Sequence, residues 1–312
     1  MALKWKSKVL LAKVETSYGT DPTPTGTLNA ILATEVRLTP MEGQDVSRDL
    51  ELPWLGAQGS IPTELHQKLS FRVEMTPSGT AGTPPAWGVL LRACAVAEVI
   101  TAATSVVYNP VTDDHESITL YLWISGTLYK MSGARGTAIM RVTAQGIVYV
   151  EFDFTGLFSL PSETPQATPD LAAQISQKPK VATTANTPVF TINGTPLVMR
   201  SFALTIGNQV ETRFLIGSES VVITDKMETI ETTVEAVPLT TFDPFQLAYD
   251  QTTGAVALTH GTAAGLTAAL AIPAAQMQRP QSLENQQNIK EWPLRMVPLP
   301  TAGNDQWTLT LT

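Results

Sequence analysis

One cysteine and three histidines occur in 312 residues, and charged side chains make up only 15% of the chain. A lone Cys94 excludes an internal disulfide framework and cannot complete a cysteine-based zinc site. It sits in the apolar stretch WGVLLRACAVAEV, where a buried, inert thiol is the expectation. His66, His115 and His260 fall in no zinc-ligand spacing. No run approaches the ~18 apolar residues that span a bilayer. The apolar run in MALKWKSKVLLAKVE is too short for a signal-peptide core. These absences predict a product of a reducing cytosol with no membrane insertion.

Basic charge is also scarce, with 20 Lys and Arg against 28 Asp and Glu. That balance argues against a protein that grips nucleic acid, because phosphate affinity is built on cations. A surface this poor in charge predicts extensive cover by other subunits, since a free surface carries ~25–35% charged residues. Catalytic signatures are missing as well. There is no G-x-S-x-G elbow, no phosphate-binding G-x-x-x-x-G-K-[ST] and no G-x-G-x-x-G after a strand. TDDHES (Thr112 to Ser117) gathers potential cation ligands but reads as a turn, and SGARGTA around Arg135 reads as a hairpin connection. Glu151 and Asp153 are two apart on one strand face, without any accompanying sign of a sugar cleft. The expectation is a protein that is not an enzyme and needs no cofactor or metal.

What is present is alternation. In LSFRVEM, Leu69, Phe71, Val73 and Met75 oppose Ser70, Arg72 and Glu74, the pattern of a half-buried strand. SITLYLWISGTLYKM predicts a hairpin turning at Ser125-Gly126, and IMRVTAQGIVYVEFDF another at Ala144 to Gly146. QWTLTLT ends the chain with Trp307, Leu309 and Leu311 on one side. Helix is scarce. TPPAWGVLLRACAVAEVITAA predicts one, with Pro85 at a first helical position, and DPFQLAYDQT predicts a second capped by Asp243. The stretch from Ala263 to Ala275 is ambiguous between helix and strand.

The two halves echo each other. Leu69, Val73, Glu74 and Pro77 repeat the spacing of Ile230, Val234, Glu235 and Pro238, and each set leads into a proline-started helix. The fold class predicted is mainly β: two tandem β-sandwich or barrel modules, each with one short flanking helix. Residues 1–160 form the first module with an N-terminal arm, 161–185 a linker rich in Pro and Thr, and 186–312 the second module.

VETSYGTDPTPTGTLNAILATEVRLTPMEGQDVSRDLELPWLG, Val14 to Gly56, resembles the opening of tail tube proteins from long-tailed, non-contractile bacteriophages. The resemblance implies a structural virion protein, assembled in the host cytoplasm, whose rings stack into the tube that carries DNA. Its partners would be further copies of itself and the tail proteins at the tube ends. The apparent doubling predicts trimeric rings with pseudo-six-fold symmetry. The resemblance places intersubunit contacts in an arm, Thr16 to Thr27, and a loop, Met41 to Gly59, with Tyr18, Asp21, Pro22, Pro24, Arg48, Asp49 and Trp54 as contact residues. The arm is expected to be mobile in the free chain. Arg72, Glu74, Glu151, Asp153, Glu231 and Glu235 are the candidates for a mildly acidic lumen through which DNA slides without specific binding. The alternative is a two-domain carbohydrate-binding or adhesion module, although the six tryptophans are scattered rather than clustered.

Overall fold

A computed structural model of the chain describes residues 3–312; the first two positions of the expected first module lie outside the described residues. The chain begins with β1 (Lys8–Val14), a helical turn α1 (Gly26–Asn29) and β2 (Ala30–Ile31). A long hairpin follows, β3 (Thr34–Ser47) and β4 (Ser60–Glu74), then α2 (Gly88–Arg92) and a hairpin of β5 (Val96–Thr101) and β6 (Ser105–Pro110). Next come β7 (Ile118–Ile124), β8 (Thr127–Thr143), β9 (Tyr149–Leu157), β10 (Ser162–Glu163) and α3 (Ala172–Ser176). The remainder opens with β11 (Val189–Ile192), β12 (Thr195–Pro196) and β13 (Met199–Thr205). A hairpin of β14 (Asn208–Leu215) and β15 (Ser218–Lys226) leads to β16 (Thr229–Glu235) and α4 (Pro244–Tyr249). The chain closes with β17 (Thr253–His260), β18 (Ala268–Met277), β19 (Glu284–Gln286), β20 (Ile289–Pro298) and β21 (Thr308–Leu311). Strands take up 51% of the residues and helices 6%, so the fold is mainly β.

All the pairings are antiparallel. One sheet runs β3-β4-β9-β8-β13-β16-β20-β18. Two smaller layers flank it: β2-β1-β7 continuing into the first part of β8, and β11-β17 continuing into β18 along nearly its whole length. Five pairings therefore occur twice with the same connections: β1–β7 with β11–β17, β7–β8 with β17–β18, β8–β9 with β18–β20, β9–β4 with β20–β16, and β4–β3 with β16–β13. The last strand, β21, joins β18 to β6 and so ties the end of the chain to its first half.

The core lies between the large sheet and the flanking layers. Phe71, Phe152 and Phe154 stack with centroids 5.7–5.9 Å apart, and Leu120 and Leu122 of the flanking layer are buried in the same cluster. Farther along the sheet, Phe202, Leu204, Val234, Trp292 and Met296 do the same under Phe190, Val256 and Leu258. Each such side chain contributes ~1.5–3 kcal/mol by leaving water. The alternating segments thus form strands because one face of each has this interior to fill.

Two expectations are corrected and one open reading is resolved. Helix α2 covers only Gly88–Arg92, and the residues expected to continue it form β5, whose Val96, Val99, Ile100 and Thr101 are β-branched and suit a strand. Arg135 lies not in a hairpin connection but at a bulge inside β8, between Ser132 and Arg135, where the strand leaves the flanking layer for the large sheet. Gly133 has φ +59° there, and a Cβ on it would stand 2.7 Å from the Tyr18 hydroxyl oxygen, so only glycine fits this bend. The ambiguous alanine-rich stretch is largely strand β18. Helix α4 follows the sequence reading, with Asp243 accepting from the N–H groups of Phe245 and Gln246 at 2.9 and 3.0 Å.

Candidate functional site

The residues expected to contact neighbouring subunits divide into two groups. The arm is not free. Glu15, at its root, is buried and accepts four hydrogen bonds within 2.6–2.7 Å, from Gly19 N, Gly133 N, Ser117 Oγ and Thr119 Oγ1. Four donors on one carboxylate cement the arm to β7 and β8. The Tyr18 hydroxyl donates to the Gly133 carbonyl at 3.1 Å and accepts from Val221 N at 2.5 Å, and the Arg135 guanidinium lies 5.0 Å from its ring. Burial raises the Tyr18 phenol above its ordinary value. Asp21 accepts from the Tyr121 hydroxyl and meets Lys130 Nζ at 3.4 Å, Lys13 Nζ donates to the Pro22 carbonyl at 2.8 Å, and Pro24 is buried. The mobile arm of the sequence reading is thus a docked strap of its own chain. Satisfying a buried carboxylate outweighs the freedom the arm gives up.

The hairpin of β3 and β4 is different. Arg48, Asp49 and Trp54 sit at its exposed tip with Leu50, Leu52 and Leu55, and Leu55 is wholly in solvent. The β14–β15 hairpin ends likewise in exposed Leu215 and Ile216. Apolar side chains projected this far find only partial cover in their own chain, and Leu55 and Ile216 find none.

The expected lumen residues share one surface. The register of the large sheet puts Glu74, Tyr149, Arg141, Ala203, Glu231 and Arg295 in one cross-strand row. Arg72, Glu151 and Ile139 form the adjacent row on the same face, with Asp153 and Glu235 beyond. This face points away from the core, because Leu69, Phe71, Val73, Val150, Phe152, Ile230 and Val234 occupy the other one. Glu151 bridges Arg72 and Arg141, each at 2.8 Å, and Arg72 reaches on to Glu35 at 2.8 Å. Burial raises the carboxyls of Asp153 and Glu74 above their ordinary range. The face carries both signs, with Lys68, Arg72, Arg141 and Arg295 standing among Glu74, Glu151, Asp153, Glu231 and Glu235. Arg141 and Arg295 were missed in the sequence, yet they alternate with Met140 and Val142, and with Leu294 and Met296, as strand residues on this face must.

Elsewhere, Glu116 of TDDHES is held by Arg92 at 2.6 Å on both oxygens, so this turn closes on an ion pair. Residues 161–185 pack on the first half: Gln174 of α3 bonds Leu32 N and the Ala30 carbonyl at 2.9 and 2.8 Å, and Asp170 N donates to the Gly26 carbonyl at 2.8 Å.

A sheet with one polar face and two apolar-tipped hairpins has the features of a building block. The family model for phage tail tube proteins matches residues 5–296, nearly the whole chain. The chain belongs to the phage tail tube protein family. Comparison with curated proteins returns no match. Membership makes this tail tube chain a structural component of the virion tail, in a family whose role is assembly rather than catalysis. No helix among the described residues is long and apolar enough to cross a membrane.

Proposed function

We propose that three copies of this tail tube chain close into a ring, that rings stack into the tail tube in the host cytoplasm, and that DNA leaves through the lumen. The observation that carries this reading is the large sheet. It consists of two four-strand units with the same pairings, β3-β4-β9-β8 and β13-β16-β20-β18, joined edge to edge through β8 and β13. Such a repeat supports an internal duplication in which residues 1–160 and 186–312 are equivalent modules, so that three chains imitate six subunits. The outer edge of β3 and, at the other end of the sheet, residues 279–283 that follow β18 have no strand partner among the described residues. Unpaired edges invite further strands, and a head-to-tail contact repeated by rotation closes into a ring.

With eight strands from each copy, the closed sheet is wider than the barrels of about 16–18 strands that already hold an aqueous channel. Its polar face turns inward, because the core and flanking layers cover the other. Arg72 and Arg141 are neutralised there by Glu35 and Glu151, leaving no cationic strip to hold phosphates as DNA slides past. The hairpin tips with Arg48, Asp49 and Trp54, and with Leu215 and Ile216, reach the next ring, where their apolar side chains find cover.

Electron microscopy of the purified protein tests the reading, with native mass spectrometry counting copies per ring. Rings of three copies, single or stacked, support it, and rings of six chains overturn the trimer. A protein that stays monomeric at all concentrations overturns it.

A further inference from the structure

The seam between β8 and β13 is a strand contact of known register, and the chain offers the same two surfaces, unmated, at its outer edges. In the seam Phe202 faces Val142, Leu204 faces Met140 and Ala203 faces Arg141. The bonds from Ile206 N to the Ala138 carbonyl and from Ala144 N to the Arg200 carbonyl, 2.9 and 2.8 Å, put the even-numbered residues in the hydrogen-bonded pairs.

The counterpart of β13 is β3. Leu204 lies opposite Ile230 and Leu38 opposite Leu69, so Val36, Arg37 and Leu38 stand where Phe202, Ala203 and Leu204 do. The counterpart of β8 is β18 and its continuation. Gln278 N donates to the Arg295 carbonyl at 2.9 Å, extending the ladder one step beyond the strand, after which residues 279–283 leave it. Transferring the seam register pairs Val36 with Leu283, Leu38 with Gln281 and Arg37 with Ser282. Pro280 then falls at a non-hydrogen-bonded position, where its missing N–H costs nothing.

Two further observations fit this register. Val142 is 2% exposed in the seam, whereas Leu283 is 58% exposed. Beside Val36 lies a cleft of about 80 Å³, lined by Leu10, Ile31 and Leu122 among others, on the side to which Leu283 would point. The edge of β3 is guarded only lightly, by Lys8 Nζ on the Val36 carbonyl at 3.1 Å. In the single chain, Arg279 and Gln281 instead border a cleft of about 440 Å³ over the polar face, together with Arg141, Glu231 and Arg295.

We infer that residues 280–283 are the ring-closing strand: they leave their own polar face and pair with residues 36–39 at the outer edge of β3 in a second copy, seating Leu283 beside Val36. The inference rests on the ring reading and names its partner surface and register. Closure also draws the segment off the face that becomes the lumen, so assembly and clearing of the channel are one movement.

Arg37→Cys combined with Ser282→Cys places two thiols at a facing, non-hydrogen-bonded pair, ~4.5–5.5 Å between Cβ atoms and close enough for a disulfide after small adjustment. The single native thiol, Cys94, is fully buried and stays silent. Mild oxidation of assembled protein is expected to convert most chains to covalent multimers that stop at the ring size and revert with reductant. Arg37→Cys with Gln281→Cys, whose side chains point to opposite faces, should crosslink at least about ten-fold less. Leu283→Asp should leave the monomer folded by circular dichroism and raise the concentration needed for assembly at least about ten-fold, or ~1.4 kcal/mol. Rings of the Arg37→Cys, Ser282→Cys protein that form without the crosslink, or Leu283→Asp protein that assembles like wild type, overturn this pairing and leave the ring reading standing. Wild-type protein that forms no rings at all overturns the ring reading, and the pairing with it.

Discussion

The two halves of the chain share their strand pairings but not their fastenings. In the first half a buried carboxylate, Glu15, is held by two main-chain N–H groups and two hydroxyls, and no cation touches it. In the second half a buried carboxylate, Glu291, is gripped by the Arg200 guanidinium through both oxygens. The long hairpin of the first half turns through residues 48–59, that of the second through Ile216 and Gly217 alone. Helix α4 has a side-chain cap and α2 has none. The strand pairings of the two halves are thus alike, while their turns, caps and hairpin tips differ. The same contrast holds between seam and rim, where equivalent positions are buried in one place and bare in the other.

The sharpest way to break the comparison is to place one charge on both sides of it. Val142→Asp, inside the seam, should cost more than about 4 kcal/mol in urea unfolding, because it buries an unpaired carboxylate. Leu283→Asp should change the monomer by less than about 0.5 kcal/mol. Equal effects would show that the two positions are not counterparts. Next in size is Glu15→Ala, which strands four donors, three of them on buried residues, and should cost about 3 kcal/mol. Thermal melts would show whether the arm melts with the body or ahead of it. Asp243→Ala removes the α4 cap and should cost about 1 kcal/mol, whereas Trp87, at the corresponding position of α2, supplies no such bond to lose.

The smallest effect is a pH dependence of opposite sign at two carboxyls, Asp153 in the first half and Glu291 in the second. Burial raises the folded Asp153 carboxyl, so its contribution is complete below its unfolded value of ~3.9 and is lost as pH rises through the higher folded value. Arg200 lowers the folded Glu291 carboxyl, so that contribution is present above ~4.3 and is lost as pH falls through the lower folded value. Asp153→Asn should therefore flatten the gain in stability of wild type as pH drops from neutrality toward 4, and Glu291→Gln should flatten the loss below 4. Chemical denaturation across this range reads both slopes.

The strands were legible because their interior neighbours impose a period of two, and Ser125-Gly126 and Gln145-Gly146 marked their turns well; Ser125 and Gln145 adopt the positive φ these tight turns require. The sharing of one face by Arg72, Glu151 and Glu231 was within reach for the same reason. Helix α2 was overextended because apolar spacing alone cannot separate a short helix running into a strand from one long helix; the β-branched residues after Ala95 carried the missing information. The docked arm was hidden for a different reason. Glu15 looks like any surface acid in a polar stretch, and its four donors come from residues up to 118 positions away. Long-range hydrogen bonds leave no periodic trace in a sequence.

Strand β20 is made late yet stands between β16 and β18, and β21, later still, spans β18 and β6. A polypeptide released from the ribosome before these segments emerge cannot finish its scaffold, however well the earlier portion folds. The topology therefore works as a length gauge: a chain that stops before residue 289 lacks the strand that holds β16 beside β18 and leaves both with an open edge.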